Sequence, residues 1–144
     1  MSELVVIAQI AGRRIAIDAA RVSSVVDLAD IVRVPGTADY ILGVTALRSR
    51  PMTVIDTCLA IGQPGDGDPA GARALVIEND GHHYALLVED VFDVAEVQGE
   101  PMPVPGELNG DWNRIGIALV ETGNQPALLI EPTALLCGPH REAA

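Results

Sequence analysis

Short apolar runs, rich in Val and Ile, recur along the chain and are punctuated by turn residues. Leu4–Ile10 is almost continuously apolar and ends at Ala11-Gly12, a turn signal. Arg14–Ile17 follows at once, so the two runs predict a hairpin with a short connection. Ala74–Glu78 and Tyr84–Val88 repeat that arrangement around Asn79-Asp80-Gly81, whose Asp-Gly step is a strong hairpin signal. Val22–Leu28 and Val91–Val97 predict single β-branched strands. Ile41–Leu47 with Arg50–Ile55 predicts a further pair, and Ile115–Val120 with Ala127–Ile130 its counterpart. Between these lie Asp18–Val22 and Val88–Val91, with room for about one helical turn each. Asp18 is placed to cap the first. Brief helices are predicted at Thr57–Ile61 and Thr133–Leu136, stopped by Gly62 and Gly138.

The order of these elements repeats. Val5–Leu28 lies over Ala74–Val97 at a constant offset of 69, with Gly12 on Gly81, Ile15 on Tyr84, Val22 on Val91 and Val25 on Val94. Val34-Pro35-Gly36 then matches Val104-Pro105-Gly106 at 70, Gly43-Val44 matches Gly116-Ile117 at 73, and Pro51–Asp56 matches Pro126–Glu131 at 75. The slips fall at expected turns, where insertions are tolerated. Two copies of one supersecondary plan are therefore expected, residues 1–62 and 73–138, joined by a Gly/Pro/Asp-rich linker over 63–72. A small sheet of about five short strands buries one face and removes its edges by closing. The fold class expected is all-β with short helices: two tandem five-stranded β-barrels related by pseudo-twofold symmetry. Each barrel alone would be marginal, so the interface between them should contribute to stability.

Composition narrows the function. The 144 residues carry 9 basic and 20 acidic side chains, a net charge of −11, and every base is arginine. That excess of acid argues strongly against binding to bare nucleic acid and disfavours anionic membrane surfaces. Apolar runs are too short to span a bilayer, which needs about 20 residues. Met1-Ser2-Glu3 does not begin a signal peptide, so a cytoplasmic location is expected. Aromatic residues are few: Tyr40, Tyr84, Phe92 and Trp112. The core must be aliphatic, and a sugar cleft with aromatic platforms cannot be built.

Candidate chemistry is sparse. His82 and His83 are adjacent, face opposite ways on a strand and read as turn-flanking residues. His140 lies in the terminal tail. Cys58 and Cys137 read as buried thiols in the two brief helices. Asp66 and Asp68 offer too few oxygens for calcium, which takes six to eight. Glu89, Asp90, Asp93 and Glu96 read as a charged outer face. Gly110-Asp111-Trp112 reads as a loop whose aromatic either packs locally or meets a partner. In Gly43–Asp56, apolar strands flank a polar turn with two arginines. A guanidinium there suits a partner's carboxylate, or equally a nearby acid or carbonyl of the same chain.

The stretch Gly43-Val44-Thr45-Ala46-Leu47-Arg48-Ser49-Arg50-Pro51-Met52-Thr53-Val54-Ile55-Asp56 resembles the Gly-Val-x-Asn-Leu-Arg-Gly … Pro-x-x-Asp signature of CheW-like domains, bacterial chemotaxis coupling proteins. Ile15–Val22, Pro35-Gly36 with Tyr40–Gly43, and Gly81 with Ala85–Val91 resemble further family segments, so the likeness spans nearly the whole chain. It implies two SH3-like barrels, and allows one barrel to take a strand from the other end of the chain. It implies a free-standing adaptor with no enzymatic activity, cofactor or metal. Its expected partners are the regulatory domain of the histidine kinase CheA and the cytoplasmic tip of chemoreceptors, at arrays on the inner membrane. A receptor-binding groove between the barrels would be formed by Arg48, Val22, Gly43 and Val91; the resemblance assigns no kinase-contact residue. The family's usual Asn is Ala46 here, its Gly after the arginine is Ser49, and its frequent acid after the Val22 position is Ser24. Those departures motivate an alternative, a divergent regulator or decoy that binds the kinase without receptor coupling. A hydrolase built on His83 and nearby acids is the reading from the enzyme class.

Overall fold

The computed structural model describes residues 4–28, 30–36, 38–47, 49–63, 72–104, 112–123 and 125–137. Its strands are β1 (Leu4–Ile10), β2 (Arg13–Asp18), β3 (Val22–Asp27), β4 (Ile41–Leu47), β5 (Arg50–Asp56), β6 (Arg73–Asn79), β7 (His82–Val88), β8 (Asp90–Glu96), β9 (Gln98–Met102), β10 (Gly116–Thr122) and β11 (Gln125–Ile130). Short helices α1 (Thr57–Ala60) and α2 (Trp112–Ile115) and two 3-10 turns (Ala19–Arg21, Pro132–Cys137) complete it. The expected all-β class with short helices is what forms. Asp18 caps its turn as expected, accepting from the Ala20 N–H at 3.0 Å. Asp56 caps α1 by accepting from the Leu59 N–H at 3.1 Å. Gly138 lies outside the described residues, as does most of the linker.

Two elements were not anticipated. β9 is polar, contains Pro101 and is exposed along its whole length, so no apolar alternation marks it. α2 replaces the expected loop at Trp112, whose ring is buried under the Arg13 guanidinium, 4.9 Å from its centroid.

The strands form two sheets, six-stranded in the order β8-β1-β2-β11-β10-β9 and five-stranded in the order β3-β6-β7-β5-β4. This corrects the expectation of contiguous barrels from 1–62 and 73–138. Each sheet takes its central hairpin from one copy and its flanking strands from the other. The β1–β2 hairpin sits between β8 and β11, and the β6–β7 hairpin between β3 and β5. The physical reason is visible in the hairpins themselves. They are apolar on both faces and cannot serve as edge strands, so they need a paired neighbour on each side. The pattern of apolar residues demands that neighbour without naming it.

The pseudo-twofold relation holds register for register. Val5 pairs with Ala95 and Val6 with Val94; their counterparts Ala74 and Leu75 pair with Val26 and Val25. A bulge interrupts both ladders at the same place, before the Ala8–Val91 and Val22–Ile77 pairs. The parallel pair Leu128–Ile15 is matched by Thr53–Tyr84. Gly43 pairs with Val54 as Ala118 pairs with Leu129, so the structural mate of Gly43 is Ala118 and not Gly116. The counterpart of β9 in the first copy shrinks to a single bridge, Val32–Val44, against Met102–Leu119.

Alternate faces of the hairpins fill three cores. Val6, Ala8, Ile10, Ile15 and Ile17 of β1–β2 meet Leu75, Ile77, Leu86 and Val88 of β6–β7 in a central cluster that includes Trp112, Ile115 and Leu135. Val5, Ile7 and Ala16 face the interior of the six-stranded lobe, and Ala74, Ala85 and Leu87 that of the five-stranded lobe. The interface expected to stabilise the pair is thus the largest core of the protein. Each large aliphatic side chain buried there contributes about 1.5–3 kcal/mol.

Backbone geometry is exacting at two kinds of glycine. Gly12 and Gly81 close the hairpins with φ of +78° and +79°, after Ala11 at +49° and Asp80 at +52°, in the pattern of a two-residue primed turn. Gly43 has φ +152°, and a Cβ there would stand 2.2 Å from the Val32 carbonyl oxygen. Gly43→Ala should therefore cost about 2–4 kcal/mol in urea unfolding, because backbone must move. Gly12→Ala meets no neighbour and should cost about 1 kcal/mol from φ alone.

Candidate functional site

Val22 opens β3 and Val91 lies in β8 of the other sheet. Both are half-buried and pack against the central cluster, opposite Ile77 and Ala8 respectively. They are symmetry mates, so the seam between the lobes presents the same apolar residue from each side. Gly43 is not brought to them. It is buried in β4, at the opposite edge of the five-stranded sheet from β3, and works by letting the Val32 backbone approach. Arg48 lies outside the described residues.

The hairpin that carries the arginine turn has a surface of its own. A cavity of about 510 Å³ opens between the end of β3 and the β4–β5 hairpin, walled by Val26, Leu28, Val32, Val44, Leu47 and Met52. Thr45 Oγ1 donates to the Asp30 carbonyl at 2.6 Å and holds the 30–32 segment over β4. Leu47 pairs with Arg50, leaving 48–49 as a two-residue connection in which Ser49 has φ +67°.

Polar contacts tie the two copies together at the seam; the sequence reading did not single them out. Arg21 Nη1 lies 3.1 Å from Glu131. Arg114 donates to the Ala134 carbonyl and, at 3.3 Å, to the Ala60 carbonyl, linking α1 to the last turn. The Tyr40 hydroxyl donates to the Leu136 carbonyl at 3.3 Å, and the Thr57 hydroxyl to the Leu87 carbonyl. Burial by itself raises the Glu131 carboxyl. Hydrogen bonds from the Thr133 hydroxyl, the Arg21 guanidinium and the Thr133 N–H, with the Arg21 charge, outweigh it and hold the group below its ordinary value. The available signal was the match of Glu131 to Asp56, since both acids cap a turn at the end of a strand.

Cys58 is buried in α1. Glu89, Asp90, Asp93 and Glu96 are exposed as expected, and Glu89 accepts from the Gly12 N–H at 2.7 Å and from Gln9 at 3.1 Å. His82 is exposed, whereas His83 faces Arg50 and Glu78. Asp66, Asp68, Gly110, Asp111 and His140 lie outside the described residues. Among the described residues no cluster of three His, Cys, Asp or Glu could hold a metal, and no helix is long and apolar enough to cross a membrane.

Residues 4–138 match the CheW-like domain family. The chain belongs to that family. Among solved structures it is similar to the scaffolding protein TtCheW from Thermoanaerobacter tengcongensis, with a TM-score of 0.79 and 23% identity over 91% of this chain and 90% of that one. That likeness is one of fold, and it carries the two-lobed β architecture. No curated protein matches the chain.

In this CheW-like chain the β4–β5 turn keeps a backbone suited to glycine while carrying a side chain at Ser49. A left-handed serine costs about 1 kcal/mol, partly offset because glycine is freer in the unfolded chain. Ser49→Gly should therefore raise stability by about 0.5 kcal/mol in urea unfolding, and Ser49→Val should lower it by about 1–2 kcal/mol. Glu131 gives a pH signature. A lowered folded-state value stabilises above the ordinary carboxylate range, and that contribution is lost as pH falls through the lowered value. The stability gap between wild type and Glu131→Gln should shrink from about pH 6 to about pH 3, and remain small and salt-sensitive because both partners are more than one-third exposed.

Proposed function

We propose that this protein is a non-enzymatic adaptor that couples chemoreceptors to the histidine kinase CheA in chemotaxis-type signal transduction, acting in the cytoplasm at receptor arrays. The observation that carries the reading is the family match across residues 4–138 on a two-lobed β fold whose lobes share one core. Such a body can transmit receptor state to a kinase by holding both partners in fixed geometry, with binding free energy as its only currency.

The apolar seam at Val22 and Val91 is the surface proposed for the helical receptor tip. It offers one apolar anchor from each lobe, a form suited to an amphipathic helix. Arg48, in the β4–β5 signature turn, is proposed to fix register by pairing with a receptor carboxylate. Gly43 supports that turn by permitting the Val32–Val44 bridge. The regulatory domain of the kinase is the second proposed partner.

Val22→Asp and Val91→Asp should each weaken capture of a receptor-tip fragment by about tenfold or more, as loss of a central anchor does. Arg48→Glu should do so with an unchanged fold, because a turn arginine is not core. Capture of the isolated kinase regulatory domain, measured separately, should be retained by all three. Kinase capture by the wild type without receptor capture would favour the regulator or decoy, the reading suggested by Ser24, Ala46 and Ser49.

A further inference from the structure

A second cavity, of about 600 Å³, lies on the five-stranded sheet where the first residues of β5 and β7 run side by side. Its lining combines apolar Val44, Pro51 and Met52 with basic Arg50, His82 and His83. Arg50 Nη1 stands 3.0 Å from His83 Nε2. A guanidinium only donates, so in this contact His83 Nε2 is the acceptor. The same nitrogen lies 3.6 Å from Glu78 Oε2, on the neighbouring strand β6. The His83 ring is only 16% exposed, whereas the Glu78 side chain is 57% exposed. Among the described residues no carboxylate pairs with Arg50. In a chain of net charge −11, Arg50 is a cation facing this cavity with no acid paired to it among the described residues.

The other lobe sharpens the contrast. The structural mates of His82 and His83 are Arg13 and Arg14, which rest on the rings of Trp112 and Phe92, with centroids at 4.9 and 5.4 Å. There the cations are covered by aromatic faces. In the five-stranded lobe the corresponding basic pair lines a cavity, and its volume falls in the range that holds small ligands, about 300–1,000 Å³.

We propose that this cavity binds a small oxyanion, a carboxylate or phosphate group on a short organic body, anchored by Arg50 and His83, with uptake of a proton at His83. The anion accepts hydrogen bonds from the guanidinium. Protonation turns His83 Nε2 from acceptor to donor, so that both anchors then donate to the anion. Glu78 is the internal competitor, an acid 3.6 Å from the same nitrogen. The charged and titratable groups around His83 are Arg50 on β5, Glu78 on β6, and His82 and Tyr84 on its own strand. Val44, Pro51 and Met52 receive the apolar body of the ligand.

The test is a titration of the full chain followed by amide and histidine-ring NMR. Inorganic phosphate and succinate at about pH 7 distinguish the two head groups, and saturation by either supports the site. Sulfate, whose charge is constant over the range, is titrated at about pH 8 and about pH 5.5, which bracket an ordinary histidine. The expected result is saturable shifts confined to residues 50–53 and 81–84, with sulfate bound about tenfold more tightly at the lower pH. Arg50→Gln should abolish the shifts, Glu78→Gln should tighten binding a few-fold, and His83→Gln should remove the pH dependence. Arg50 and Glu78 are exposed and His83 is half-buried at the cavity wall, and retention of the remaining spectrum shows that the fold is intact. No saturable shift with any probe, shifts untouched by Arg50→Gln, or pH dependence that survives His83→Gln would overturn the proposal.

Discussion

Everything in this structure depends on the reciprocal exchange of two hairpins. β1–β2 and β6–β7 are buried on both faces, so each of their outer edges must pair with another strand or leave backbone groups unsatisfied in the interior. Each copy supplies those pairings to the other. Neither half can therefore complete a sheet alone, and the lobes are locked by backbone ladders as well as by side-chain packing. Strands far apart in the chain must find one another before either sheet closes, which makes this a fold of high contact order and slow folding.

The exchange also determines what kind of seam the lobes share. Because the hairpins alternate their side chains between a lobe interior and the central cluster, the seam is core, continuous with both sheets. Relative motion of the lobes would open that cluster and expose large aliphatic side chains. A body so constrained suits a function that consists of holding partners in register. The polar contacts at its margin, Arg21 with Glu131 and Arg114 with two turn carbonyls, orient the ends of strands around the same seam.

On this shared frame the two copies have diverged at the surface. Val25 and Val94 remain exposed mates on the edge strands, but Phe92 stands where the first copy has Ser23. Arg13 and Arg14 stand where the second copy has His82 and His83, and a full strand, β9, stands where the first copy keeps one bridge. Backbone register is held by the need to pair and bury, and those demands do not reach exposed side chains. Duplication thus yields two surfaces of different chemistry at equivalent places, one with cations on aromatic rings and one with a basic cavity.

Much of this was legible in the residues. Short apolar runs, Asp80-Gly81 and Ala11-Gly12, the capping Asp18 and the constant offset of the first three runs determine strands, turns, copy number and the pseudo-twofold relation, because they are local or periodic properties of the chain. Of the candidate site, Val22 and Val91 could be found from the repeat and the family pattern, and both lie on the seam. Gly43 could be identified as a close-approach residue, but its structural mate was misplaced by two positions, since a bulge in the ladder leaves no mark in composition. Which hairpin enters which sheet, the burial of Trp112 in α2, the edge strand β9 and the meeting of Arg50 with His83 were decided by tertiary structure. These depend on pairing between distant segments, and an apolar run declares only that it must be covered, while the rest of the chain decides by what.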